Sequence, residues 1–204
     1  MASSIGLARR YFLYAVTGAM GAVGLGVAAW PLIDQMNPDA SACAASDVVD
    51  IDLTTMFSDQ RVVQWHHVPI FVAKRTPDAL TLLQEPAWTA MLRDPDSNDH
   101  QQPAYARNWH RSLHPEWSVL VGVCTYCACV PKYFAAGEAL RDAGGAGYFC
   151  PCCAAKYDLA GRAYRGPARY NLPVPPHSLP DQRTLRIGRN PPGEIFNFES
   201  IARI

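Results

Sequence analysis

Six of the seven cysteines fall within residues 122–158, and no other feature restricts the fold of this 204-residue chain as strongly. The first group reads Cys124-Thr125-Tyr126-Cys127-Ala128-Cys129, and the second reads Cys150-Pro151-Cys152-Cys153-Ala154-Ala155. Thiols at this density bind soft metals, hold iron–sulfur centres or pair as disulfides; they seldom serve as core filling. Cys124, Cys127, Cys150 and Cys153 form a C-x2-C…C-x2-C pattern with 22 residues between the pairs. That pattern suits four-thiolate binding of zinc or an iron–sulfur centre, because each tight turn brings two sulfurs to one side. Pairing of all the cysteines as disulfides is the competing reading, and the adjacent Cys152 and Cys153 are awkward for two separate bonds. Each group follows an apolar run, 117–123 and 147–149, which predicts two hairpin tips facing one another.

The rest of the chain narrows the class. Its formal net charge is zero, so no electrostatic footprint for nucleic acid is present. Seventeen prolines and fourteen glycines point to a loop-rich β structure rather than a bundle of helices. Residues 1–10 are basic, ending in Arg9-Arg10, and residues 11–33 form an uncharged run of 23. That run is longer than a cleavable signal core and long enough to span a bilayer as one helix. Basic residues before it and Asp34, Asp39, Asp47 and Asp50 after it put the N-terminus in the cytoplasm and the body outside. Residues 34–46 read as a linker. Cleavage at Ala40-Ser41-Ala42, or lipid attachment at Cys43, is the other reading; both lie well past the apolar run, and the leucine expected three residues before such a cysteine is missing.

A head then spans 47–188. Strands are expected at 47–53, 61–65 and 69–75, the last two joined by a turn at His66-His67-Val68. Residues 76–93 predict two short helices, the second starting at Pro86, and 94–102 predicts a polar surface loop. His110 and His114 have the spacing of a zinc pair on a helix, but no third ligand accompanies them, so an exposed loop or helix turn is expected. A helical turn is expected at 138–141, and a last strand at 184–187. Residues 189–204 are an extension with no evident role.

The cysteine groups resemble the two cluster-binding boxes of Rieske [2Fe-2S] proteins, whose pattern is Cys-Thr-His-x-Gly-Cys followed by Cys-Pro-Cys-His-Gly-Ser-x-Tyr-Asp. The approaches Gly122-Val123 and Gly147-Tyr148-Phe149 agree with it, as do Tyr157-Asp158-Leu159-Ala160-Gly161-Arg162, Gly166-Pro167-Ala168 and Asn171-Leu172-Pro173-Val174-Pro175. Arg9-Arg10-Tyr11-Phe12-Leu13, which has the form of a twin-arginine export signal, and residues 30–38 are similar to the anchor of the iron–sulfur subunit of bacterial quinol–cytochrome c oxidoreductase. The resemblance implies a mainly β fold: one transmembrane helix, then a β-sandwich head with a small cluster-binding subdomain. It implies a [2Fe-2S] cofactor, a bond between Cys129 and Cys152, and a proline-rich cover at 173–176. The implied partners are cytochrome b, a c-type cytochrome, quinol and membrane lipid, with the head on the periplasmic side of a bacterial inner membrane. The implied function is electron transfer from quinol to a c-type cytochrome.

The chain departs from that pattern at the ligands. The cluster positions are held by Cys124, Tyr126, Cys150 and Cys153, so both histidines are replaced. Ala128 and Ala154 stand where the family has glycine, and Ala155 where it has a hydrogen-bonding serine. Cys127 takes the place of a residue that shields the cluster, so its ligation would require the loop to rewind, and Tyr126 is expected to fill the space of the imidazole. Thiolates in place of neutral histidines should lower a two-iron potential by at least about 250 mV, which makes quinol a poor reductant. The alternatives are a redox-inactive structural subunit, or a four-thiolate protein carrying zinc or a low-potential [2Fe-2S] centre.

Overall fold

A computed structural model describes residues 2–35, 47–56, 60–134 and 146–202, with side chains from Arg9 onward. The expected linker, Cys43 and the expected helical turn at 138–141 lie outside the described residues, the first except for its opening two positions. The chain divides into two units, Met1–Ala45 and Ser46–Ile204.

The first unit is one helix, α1 (Ala2–Asp34), whose single proline, Pro31, falls in the last turn where it interrupts little. Its segment Arg9–Asp34 is long and apolar enough to cross a membrane. Tyr11, Phe12, Leu25 and Trp30 stand exposed along it, as side chains facing lipid would.

The second unit is built on a central antiparallel sheet of β2 (Gln60–Trp65), β3 (Val68–Lys74) and β4 (Trp117–Val121), in the order β2-β3-β4. Strand side chains alternate between faces, and here both faces are apolar. Ile70, Val72, Val119 and Val121 point one way, into a core shared with Ile51, Leu185 and Ile187. Those last three come from β1 (Val49–Asp52) and β10 (Thr184–Ile187), which form a second sheet with β9 (His177–Ser178) in the order β1-β10-β9. Phe71 and Leu120 point the other way, against Tyr148, Tyr157, Leu172 and Val174. Tyr148 and Tyr157 belong to a third sheet: β5 (Lys132–Phe134), β6 (Gly147–Phe149), β7 (Lys156–Asp158) and β8 (Ala163–Arg165). The head is therefore a two-sheet sandwich with a third layer, and that layer carries the cysteines.

The hairpin β2–β3 turns on His66 and His67, which adopt φ of 45° and 64°. Thr76 caps α2 (Pro77–Leu83), and Pro86 opens α3 (Pro86–Thr89), so the two expected helices are present.

Three expectations are corrected. Residues 94–102 are not a surface loop throughout: Asp94, Ser97, Gln101 and Gln102 are buried. Internal bonds make this possible, since the Asp94 carboxylate accepts from the amides of Asn98 and Asp99, while Gln102 Nε2 donates to the Ser97 and Asp99 carbonyls. The exposed loop or helix turn expected at His110 and His114 holds for the exposed His114 but not for His110, which is buried in a run of turns with Nδ1 2.9 Å from Ser112 Oγ. The first cysteine group is not a hairpin tip, because it bridges β4 and β5, which belong to different sheets. Only the second group caps a hairpin, β6–β7.

The extension packs onto the head. Phe198 meets Trp65 edge-on at 5.2 Å, and the Ala202 amide donates to the His100 carbonyl at 2.9 Å.

Candidate metal centre

Two turns of matching form build the site. In the first, the Ala128 amide donates to the Cys124 carbonyl at 2.9 Å and the Cys124 amide to the Cys129 carbonyl at 2.8 Å. In the second, Ala154 donates to Cys150 at 2.9 Å and Cys150 to Ala155 at 2.8 Å. Ala128 and Ala154 both have φ of 57°, the left-handed conformation that favours glycine. That twist turns each chain back on itself, so the sulfurs of Cys124 and Cys127, and of Cys150 and Cys153, face one space.

A disulfide joins Cys129 to Cys152, with their Cα atoms 6.5 Å apart, and ties one turn to the other. Cys124, Cys127, Cys150 and Cys153 remain free. Their sulfurs all lie within 4.8 Å of one another. Contacts between the turns are 3.6 Å for Cys124–Cys153, 3.3 Å for Cys127–Cys150 and 3.4 Å for Cys127–Cys153. Tyr126 stands apart from this group, the residue 56% exposed. Cys127, the next residue, places its sulfur among the other three instead. No rewinding was needed, because Ala128 itself adopts the left-handed conformation.

The surroundings favour a thiolate at one position in particular. Tyr157 Oη lies 3.3 Å from Cys124 Sγ and 3.2 Å from Thr125 Oγ1, which itself donates to the Tyr170 carbonyl at 2.9 Å. Burial raises the Cys124 thiol, but the Tyr157 hydroxyl, the amides of Tyr126 and Cys127 and the Cys153 thiol outweigh it and bring it down to about 7. Burial and the Cys127 thiol push Cys150 up, and burial pushes Cys153 up as well. A bound cation would draw off the remaining protons. Ala155 is fully buried and brings no hydroxyl. Gly166, at φ of 95°, passes so close that an added Cβ would lie 2.6 Å from Ala155 Cα. The roles of Thr125 and Gly166 were not foreseen: threonine inside a cysteine motif, and glycine eleven residues beyond it, carry no local signal of contact.

A polar network holds the turn that follows β7. Asp158 Oδ2 pairs with Arg162 Nε at 2.7 Å and accepts from Trp88 Nε1 at 3.3 Å, while Oδ1 accepts the amides of Ala160 and Arg162. The buried Arg75 and Arg111 reach from other elements to the carbonyls of Leu159 and Ala160. Burial lowers both guanidiniums, to about 10 and about 9, which leaves them charged at neutral pH.

A layered β head that carries two cysteine turns cross-tied by a disulfide is the architecture of a Rieske-type subunit. Relatives agree along nearly the whole chain. It is 38% identical over 181 residues to the "Ubiquinol-cytochrome c reductase iron-sulfur subunit" of Bradyrhizobium diazoefficiens, covering 88% of this chain and 94% of that one. Identity to the protein of the same name from Blastochloris viridis is 41%, with coverage of 88% and 92%, and to that from Allochromatium vinosum 36%, with coverage of 93% and 92%. Residues 2–39 match the family described as "Ubiquitinol-cytochrome C reductase Fe-S subunit TAT signal". A solved chain titled "Hyperthermophilic respiratory Complex III" is similar at a TM-score of 0.43 and 22% identity, covering 83% of this chain and 96% of that one. The chain belongs to the family of ubiquinol–cytochrome c reductase iron–sulfur subunits.

The donors do not fit a centre held by two cysteines and two histidines. Among the described residues the site gathers sulfur alone, and the sulfurs stand too close together for two irons with their bridging sulfides.

Proposed function

We propose that this chain is the metal-carrying subunit of a ubiquinol–cytochrome c reductase. α1 anchors it in a bacterial cytoplasmic membrane, with the N-terminus in the cytoplasm and the head on the periplasmic side. Its partners are cytochrome b and c-type cytochrome subunits, and its role is one-electron transfer from quinol toward the c-type haem. The metal ligands are Cys124, Cys127, Cys150 and Cys153, in place of the family's mixed set; Tyr126 is not among them. The observation that supports this reading best is the gathering of four free thiols beneath a disulfide-tied tip, on a head with the family's sequence along its length.

The chain's own residues divide the work. The Cys129–Cys152 bond holds the two turns against each other, and Tyr157 stabilises the Cys124 thiolate. Tyr126 presents an exposed phenol at the tip, where the family has an imidazole. A phenol can exchange a hydrogen bond with a quinol, but it is not an imidazole base.

Isolating the complex from membranes through a tag on this chain tests the reading. The expected result is co-isolation of b- and c-type haem in fixed proportion to the chain. Recovery of the chain without either haem would refute it.

A further inference from the structure

We infer that the four thiolates hold a single tetrahedral metal ion, not a two-iron centre. The inference rests on the proposed ligand set, but not on membership of the complex. Its first support is size. Four thiolates at about 2.3 Å from one ion are about 3.8 Å apart at the corners of a regular tetrahedron. Two metals in tetrahedra sharing an edge, with the same bond length, keep sulfurs on different metals about 5.3 Å or more apart. In this site no pair of the four sulfurs exceeds 4.8 Å.

The pattern of contacts adds a second support that does not depend on how the ligands are divided between two irons. A two-iron centre divides four ligands into two pairs, one on each iron. If Cys124 is paired with Cys127, all three close contacts fall between the irons. If Cys124 is paired with Cys150, the contacts at 3.6 Å and 3.3 Å fall between them. If Cys124 is paired with Cys153, the 3.4 Å contact of Cys127 with Cys153 still does. No division leaves the irons room.

The third support is symmetry. Each turn is Cys-x-x-Cys-Ala with the same φ at the alanine and the same two backbone hydrogen bonds. Equivalent turns place two sulfurs each around a common centre, the arrangement that tetrahedral coordination needs. Cys129 and Cys152 are consumed in the disulfide and cannot compete.

Charge shows what this does for an electron carrier. Ferric iron on four thiolates carries −1 and becomes −2 on taking up one electron, whereas a two-iron, two-sulfide centre on four thiolates goes from −2 to −3. The one-iron site meets less repulsion, so its reduction is easier than that of a two-iron centre on the same ligands.

The test is metal and acid-labile sulfide analysis, with X-ray absorption, on the full chain purified in detergent without reconstitution. The expected result is one metal per chain, no labile sulfide, and four sulfur neighbours at about 2.3 Å with no second metal. Cys127→Ser should lower metal occupancy at least tenfold, and Tyr126→Ala should leave it unchanged, with the Cys129–Cys152 bond in both variants reporting that the tip has folded. Two irons and two sulfides per chain would overturn the inference and leave the proposed function standing. One zinc per chain would support it and remove electron transfer from the proposed function. A chain without metal, or a Cys127→Ser variant that retains it, would overturn the inference.

Discussion

At the scale of single residues, the two alanines at φ of 57° are the most informative positions. An L-residue in this conformation is strained, and glycine there relieves the strain while losing some chain entropy on folding. Ala128→Gly and Ala154→Gly should therefore each stabilise the head by about 0.5–1 kcal/mol, raising its thermal midpoint by a few degrees. Gly166 is the opposite case. Its φ of 95° and the 2.6 Å approach to Ala155 Cα leave no place for a methyl group. Gly166→Ala should cost about 2 kcal/mol or more and displace the second turn, which chemical denaturation and metal content would both register.

At the scale of elements, the third sheet depends on ties that cross between layers. The Cys129–Cys152 bond spans 23 residues, and for a loop of that length its removal should cost about 3 kcal/mol. Comparing denaturant midpoints of the wild type and a Cys129→Ser/Cys152→Ser variant measures it. The turn after β7 hangs on Asp158, whose carboxylate meets Arg162 in a fully buried pair. Asp158→Asn leaves that guanidinium without its counter-charge and should cost about 3–5 kcal/mol by the same measurement. Ser118 on β4 and Arg75 after β3 both donate to the Leu159 carbonyl, so loss of the turn also loosens its contact with the central sheet.

For the whole molecule, two buried histidines set an acid limit. Burial pushes His177 from 6.5 down to about 4, and burial followed by the nearby Arg75 and His114 does the same to His110. Between pH 6.5 and 4 the unfolded chain binds protons that the folded chain refuses, so the stability these groups confer is complete above pH 6.5 and is lost as pH falls toward 4. The thermal midpoint of the detergent-solubilised chain should fall across that window, and His177→Gln should flatten the fall. An equal slope in both proteins would show that His177 does not titrate in this way.

The sequence by itself determined the elements whose signal is local. The 23-residue uncharged run gave the helix, His66-His67 between two apolar strands gave the hairpin, and residues 184–187 gave the last strand, because period and turn chemistry are properties of neighbouring residues. The Cys129–Cys152 bond was legible through resemblance, since both partners survive in an otherwise altered motif. Only the tertiary structure decided which residue of Tyr126 and Cys127 faces inward, because that depends on the backbone twist at Ala128, which a propensity argument counts against. Only it buried Asp94, Gln101 and Gln102, whose side chains find partners in Asn98, Asp99, Asn171 and Arg111 once the head has closed around them. The spacing of four sulfurs is likewise a distance between two sheets' worth of chain, and no stretch of sequence contains it.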